Sequence, residues 1–156
     1  MAATSLQTVD HSALKVNQTG IVATVLVAFI ASFVFPPAWL LIPLLAIVLL
    51  LGTFAPQLAL FKQFYFRVLK PVGIVKAHPV QDRPEPHNFA QGMGGVVLAI
   101  ASLFLYLTTP AMGLVAAIGP ALSLIVAVLA FVNLAFGYCL GCQIYYQLGK
   151  RGLIRA

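Results

Sequence analysis

The run Ala111 to Tyr146, AMGLVAAIGPALSLIVAVLAFVNLAFGYCLGCQIYY, contains no charged residue in 36 positions. As a single helix it would measure about 54 Å, against about 30 Å of bilayer hydrocarbon. It has to be divided, and Gly119-Pro120 divides it. Pro120 fits the first turn of a helix, where a missing N–H costs least, so the spacing predicts a span over about 120–141. Ala111 to Gly119 is left as a partly inserted outer connection.

Three further spans follow from the same length criterion. An uncharged apolar stretch over about 19–35 is stopped by Pro36-Pro37. A second, over about 38–55, opens with Trp39 as an interfacial anchor and carries Pro43 in its first turns. A third covers about 92–109. Of 156 residues, 62% are hydrophobic and 8% charged, with mean hydropathy +1.02. Soluble domains hold about 25% charged residues, so a water-soluble fold is excluded, as is disorder. Two cysteines are too few for a disulfide-stapled secreted miniprotein. The expected fold is an all-α integral membrane protein, a four-helix transmembrane bundle in one membrane domain, 19–156, behind a cytoplasmic segment, 1–18. A cleaved signal peptide is the alternative for the first span, but only Lys15 precedes it and no small-residue cleavage site follows.

The charges are placed as one-sidedly as charges can be. Lys15 precedes the first span; Lys62, Arg67, Lys70, Lys76 and Arg83 separate the second from the third; Lys150, Arg151 and Arg155 follow the fourth. Asp10, Asp82 and Glu85 lie in the same three regions, and the other two connections are uncharged. Basic residues stay on the cytoplasmic side, which predicts both termini inside a plasma membrane. The net charge of +6 then marks topology and attraction to anionic lipid headgroups. No basic helix is spare for nucleic acid.

Between spans, 57–70 has an amphipathic stripe of Phe61, Phe64, Tyr65 and Val68 and reads as an interfacial helix. The prolines of 71–90 predict a cytoplasmic loop, and 142–150 reads as a cytoplasmic tail helix. Register matches suggest two duplicated helical hairpins: Gln18 meets Gln91 at an offset of 73, and Gln63, Tyr65 and Lys70 meet Gln143, Tyr145 and Lys150 at 80.

The motif with the most chemistry is Gly137-Tyr138-Cys139-Leu140-Gly141-Cys142-Gln143. Cysteines three apart on a helix share a face within disulfide range, so Cys139 and Cys142 can pair or share a metal. In a continuous helix, Asn133, Gly137 and Gly141 fall on the other side and read as a close helix-packing face. Helix C-termini disfavour a thiolate, whereas a break near Gly141 would put Cys142 at the start of the tail helix and reverse the sign. Redox chemistry, metal binding and plain packing all remain open on this spacing. His78 and His87 lie on the same side but read more simply as solvated loop residues, and His11 is weaker still. Asp82 to Asn88 has the logic of a helix cap. Asn17-Gln18-Thr19 matches a glycosylation acceptor but is placed cytoplasmic. No motif implies a bound cofactor.

Arg83-Pro84 and Asn88-Phe89-Ala90-Gln91-Gly92-Met93-Gly94, with Phe136 to Tyr145, resemble domain-of-unknown-function family 4395, small membrane proteins of bacteria and cyanobacteria. The likeness runs from about Val9 to Gly149 and is most specific at the cysteines. It implies a bacterial plasma membrane or thylakoid location and a thioredoxin-like or rhodanese-like soluble partner, with Cys139 and Cys142 as the redox pair. Three functions are then in play: relay of thiol/disulfide or sulfur equivalents at the membrane surface; a non-catalytic scaffold or complex subunit, including a homo-oligomer; and a small transporter. Spans without ionisable residues make the last the weakest.

Overall fold

The computed structural model describes residues 7–55, 59–73, 76–108 and 110–152. Among these residues four helices are long and apolar enough to cross a membrane. Helix α1 is His11–Ser32. A 3-10 turn, Pro36–Leu40, runs into α2, Leu41–Phe54. Helix α3, Leu60–Phe64, continues through a π-helical turn, Tyr65–Leu69, into Lys70–Val72. Helix α4 is Pro84–Leu107. A 3-10 segment, Pro110–Ala117, leads to α5, Ile118–Phe136, and α6 is Leu140–Lys150. The protein is therefore an all-α bundle, with α1, α2, α4 and α5 closing a ring.

Small residues set the spacing of this ring. Buried positions recur every three or four residues: Ala13, Asn17, Ile21, Val25 and Ala28 on α1, and Gly119, Ser123, Val126, Ala127 and Ala130 on α5. The outward positions are the larger Leu26, Ile30, Leu103 and Phe131, all exposed. In lipid an outward Leu costs nothing, so association rests on close packing of small inner residues. A methyl on Gly95 would lie 2.9 Å from Leu50, and one on Gly119 would lie 2.9 Å from the Ala101 carbonyl. Gly52 against Gln91 and Gly95 against Leu49 fix α2 and α4 antiparallel. This alternation gathers the described charges at one end of the bundle.

At that end the chain folds further than the sequence suggests. Strand β1, Gln7–Asp10, pairs antiparallel with β2, Pro79–Asp82, with Val9 opposite Val80. Asp10 organises the junction: its carboxylate accepts hydrogen bonds from Ser12 N–H at 3.0 Å, His78 N–H at 3.1 Å and the Tyr65 hydroxyl at 2.9 Å. Burial raises the Asp10 carboxyl pKa, but the donors from His78, Tyr65 and Ser12, with Lys70 nearby, bring it below its ordinary value.

These contacts explain the differences from the expected boundaries. Helix α1 starts at His11 rather than about 19, because Asp10 caps it. Helix α4 starts at Pro84 rather than about 92, because prolines in a first turn lack only N–H groups that would have no helical partner. The 71–90 segment is thus strand and helix in part, not loop throughout. Residues 1–6 of the expected N-terminal segment lie outside the described residues, as do 57 and 58 of the expected interfacial helix. Tyr65 does not belong to an interfacial stripe; it is fully buried on Asp10. Helix α3 packs on α1 and α6 on α4, so each hairpin carries a tail helix against its own first span.

Candidate redox site at the charged end

The fourth span ends earlier than expected. Gly137 takes a left-handed conformation, φ +69°, and its N–H bonds to the Asn133 carbonyl at 2.9 Å, closing α5. That turn is the glycine C-terminal stop of many helices. Tyr138 and Cys139 are non-helical, and α6 begins at Leu140 with Cys139 as its N-cap. The cysteines therefore do not end a long helix; they open a short one. The expected break near Gly141 occurs at Gly137 to Cys139, and its effect on the local dipole is the favourable one.

The break also removes the common face assigned to Asn133, Gly137 and Gly141. Around Gly137 the position of a Cβ has nothing within 4 Å, so this glycine serves the turn and not packing. Gly141 is different. A Cβ there would lie 2.5 Å from the Ala90 Cβ and 2.7 Å from its Cα, so α6 seats its first turn directly on α4. Phe89 and Tyr145 extend the seat, ring centroids 5.5 Å apart. Asn133 lines a cleft beside Cys139.

Cys139 and Cys142 are joined as a disulfide, Cα atoms 5.2 Å apart. The Cys139 sulfur also accepts the Cys142 N–H at 3.2 Å, the place an N-cap side chain fills. Cys142 is buried at 8% exposure and Cys139 half-buried, so the two sulfurs are inequivalent.

Seating Gly141 on Ala90 brings Cys142 to His87, one turn earlier on α4. Cys142 Sγ lies 3.7 Å from His87 Nδ1, and His87 Nε2 lies 3.0 Å from Asp82 Oδ2. With the ring proton on Nε2 toward the carboxylate, Nδ1 faces the sulfur unprotonated and can accept a proton from it only once the disulfide is open. Asp82 also meets His11 Nε2 at 3.2 Å and accepts the Arg83 N–H at 2.7 Å. Burial raises the Asp82 carboxyl pKa, but His87, Arg83 N–H and His11 bring it below its ordinary value. His87 and His11 are thus both held by Asp82 rather than free in a loop, and the expected cap is not formed: the N-cap of α4 is Arg83, with no side-chain cap bond. His78 contributes its backbone, its N–H to Asp10 and its carbonyl to His11 N–H at 3.0 Å.

Among the described residues two metal-capable triads share His87: with Cys139 and Cys142, and with His11 and Asp82. The donor atoms of each lie within 4.8 Å of one another. Two thiolates and an imidazole suit zinc, but supply three of its four usual ligands and do so only when the disulfide is open. What the arrangement does in its closed form is hold a cross-link at a helix N-terminus with a carboxylate-oriented imidazole behind the inner sulfur.

One signal in the sequence could have singled out His87: it precedes Ala90 by one helical turn, on the side that the cysteine segment shares. No curated protein and no solved structure matches the chain. The model of DUF4395, a domain of unknown function, matches residues 9–150. Covering strand β2, both cysteines and nearly the whole chain, that match shows that the chain belongs to the DUF4395 family.

Proposed function

We propose that the protein is a membrane-embedded thiol–disulfide exchanger, working at the cytoplasmic surface with a soluble dithiol partner of thioredoxin-like or rhodanese-like type. The observation that carries this reading is the Cys139–Cys142 cross-link at the N-terminus of α6, with His87 and Asp82 aligned behind Cys142. The gathering of charges at this end supports the cytoplasmic placement.

Cys139, the more accessible sulfur, receives the partner's thiolate. The Cys139–Cys142 bond breaks as the mixed disulfide forms, and its electron pair leaves on Cys142, whose thiolate the helix N-terminus stabilises and which then takes a proton. The partner's second thiolate attacks its own mixed-disulfide sulfur, releasing Cys139 as a thiolate that also takes a proton. The partner leaves as a disulfide and the pair as a dithiol. In the reverse direction His87 Nδ1 takes the Cys142 proton, and Asp82 stabilises the imidazolium that results.

Trapping tests the division of labour. Cys142→Ser should accumulate a stable mixed disulfide between Cys139 and a thioredoxin-type protein whose second cysteine is replaced by Ser and whose remaining cysteine carries a thionitrobenzoate leaving group, because neither protein then keeps a thiolate to resolve it. Cys139→Ser should accumulate little. Equal trapping at either position, or none at both, would overturn the assignment.

A further inference from the structure

A dithiol that is reduced from one side must be reoxidised, and a second acceptor site lies against the same sulfur. An apolar cleft of about 130 Å³ begins at Cys139 and runs into the bundle between α4 and α5, past Asn133 and Leu129 to Ile125. From Asn133 to Ile125 is about 12 Å along the helix axis. Ile125 and Leu129 are 52% and 41% exposed, so the cleft borders the lipid-facing surface.

Its polar groups are few and specific. Gln91 is committed: its amide donates to the Leu49 carbonyl at 3.0 Å and accepts from Asn17 at 3.4 Å. Gln18 and Asn133 also line the cleft, and their side-chain amides make no hydrogen bond among the described residues. An apolar slot with two spare donor groups, reached from the bilayer and ending at a redox sulfur, fits a flat lipophilic molecule with carbonyl acceptors. An acyl chain would use neither the amides nor the sulfur.

Resting on the exchange activity proposed above, we infer that this cleft takes a membrane-soluble quinone, which reoxidises the Cys139/Cys142 dithiol. Cys139 thiolate adds to the quinone ring. Cys142, its proton passed to His87, then attacks the Cys139 sulfur; the S–S bond forms, the S–C bond breaks, and the electron pair departs on the quinone. The two protons of the thiols complete the quinol. Two electrons and two protons thus pass from dithiol to quinone, leaving disulfide and quinol. Gln18 and Asn133 hold the carbonyl oxygens that gain negative charge.

The test uses the full chain in lipid nanodiscs, reduced, freed of reductant and kept anaerobic, with tetramethyl-1,4-benzoquinone, whose ring positions are all substituted. Quinone absorbance and a gel-shift count of free thiols are followed together. One quinol should appear per disulfide formed, and Cys139→Ser should abolish it. A Cβ on Gly94 would meet only ordinary contacts, 3.8 Å from Val126 and 4.0 Å from Leu49. Gly94→Val, on α4, and Asn133→Leu, on α5, should each raise the quinone concentration for half-maximal rate about tenfold, the effect of one lost polar contact or a narrowed slot. Their thermal unfolding checks the fold, and the two lie on different helices. Quinone left oxidised by protein that oxidised glutathione does convert to disulfide would overturn the quinone site and leave the exchange activity standing. Failure with both oxidants would overturn both. Quinone reduction that survives Cys139→Ser, or is indifferent to both cleft variants, would also overturn it.

Discussion

Cys142 and His87 are 55 residues apart in the chain and 3.7 Å apart in space, Sγ against Nδ1. Nothing local brings them together. The contact depends on α6 starting afresh after Gly137 and on Gly141 resting on Ala90.

If His87 moves the Cys142 proton, His87→Gln should slow disulfide formation from the dithiol by about 100-fold at neutral pH, the range of a lost general base. The discriminating readout is the pH profile. The variant rate should rise steadily with hydroxide, while the parent levels off. A rate reduced at every pH by the same factor would make His87 a packing residue.

Gly137 and Gly141 should fail for different reasons. Gly137→Ala puts a side chain at φ +69° and should cost about 1–2 kcal/mol through backbone strain. Gly141→Ala overpacks against Ala90, at about 1–3 kcal/mol. Ala90→Gly should therefore recover part of the loss in Gly141→Ala and none in Gly137→Ala, measured by thermal unfolding in detergent.

The carboxylates of Asp10 and Asp82 tie the ribbon to α1 and α4. Both titrate below the ordinary value of 3.8 in the folded chain, so their contribution is full above that value and is lost as pH falls through the lower folded one. Unfolding temperature followed from pH 5 down to pH 2 should decline, and the double variant Asp10→Asn, Asp82→Asn should decline less. Parallel curves would remove these groups as the source.

Tyr65 is fully buried with its hydroxyl on Asp10. Tyr65→Phe should cost about 1–2 kcal/mol, since Asp10 keeps its two backbone donors. Amide exchange should quicken at Val9 and Val80 in the ribbon while the spans stay protected; unchanged exchange there would mean that the ribbon stands without the hydroxyl.

Hydropathy made the four spans legible, because each is a continuous apolar run, and the placement of Lys and Arg made the charged end legible. The cysteine pair was legible as a pair. Its orientation was not, because a glycine at the end of an apolar run serves equally as a close-packing surface or as a left-handed stop, and Gly137 and Gly141 divide those roles between them. Asp82 and His87 escaped for a related reason. Their roles come from long-range register: Gln7 to Asp10 against Pro79 to Asp82, and α6 against α4. A four-residue strand pairing with one some seventy positions away leaves too little alternation to recognise, and Pro84 and Pro86 disguise the first turn of a helix as loop.

Because the cross-link joins the N-cap of α6 to its third residue, it closes the first turn covalently at the place where the Cys139 sulfur also accepts the Cys142 N–H. The start of α6 is thus clasped twice by one sulfur, while Gly141 rests its backbone on Ala90. Any chemistry at the Cys139 sulfur is therefore also a change in how this helix begins.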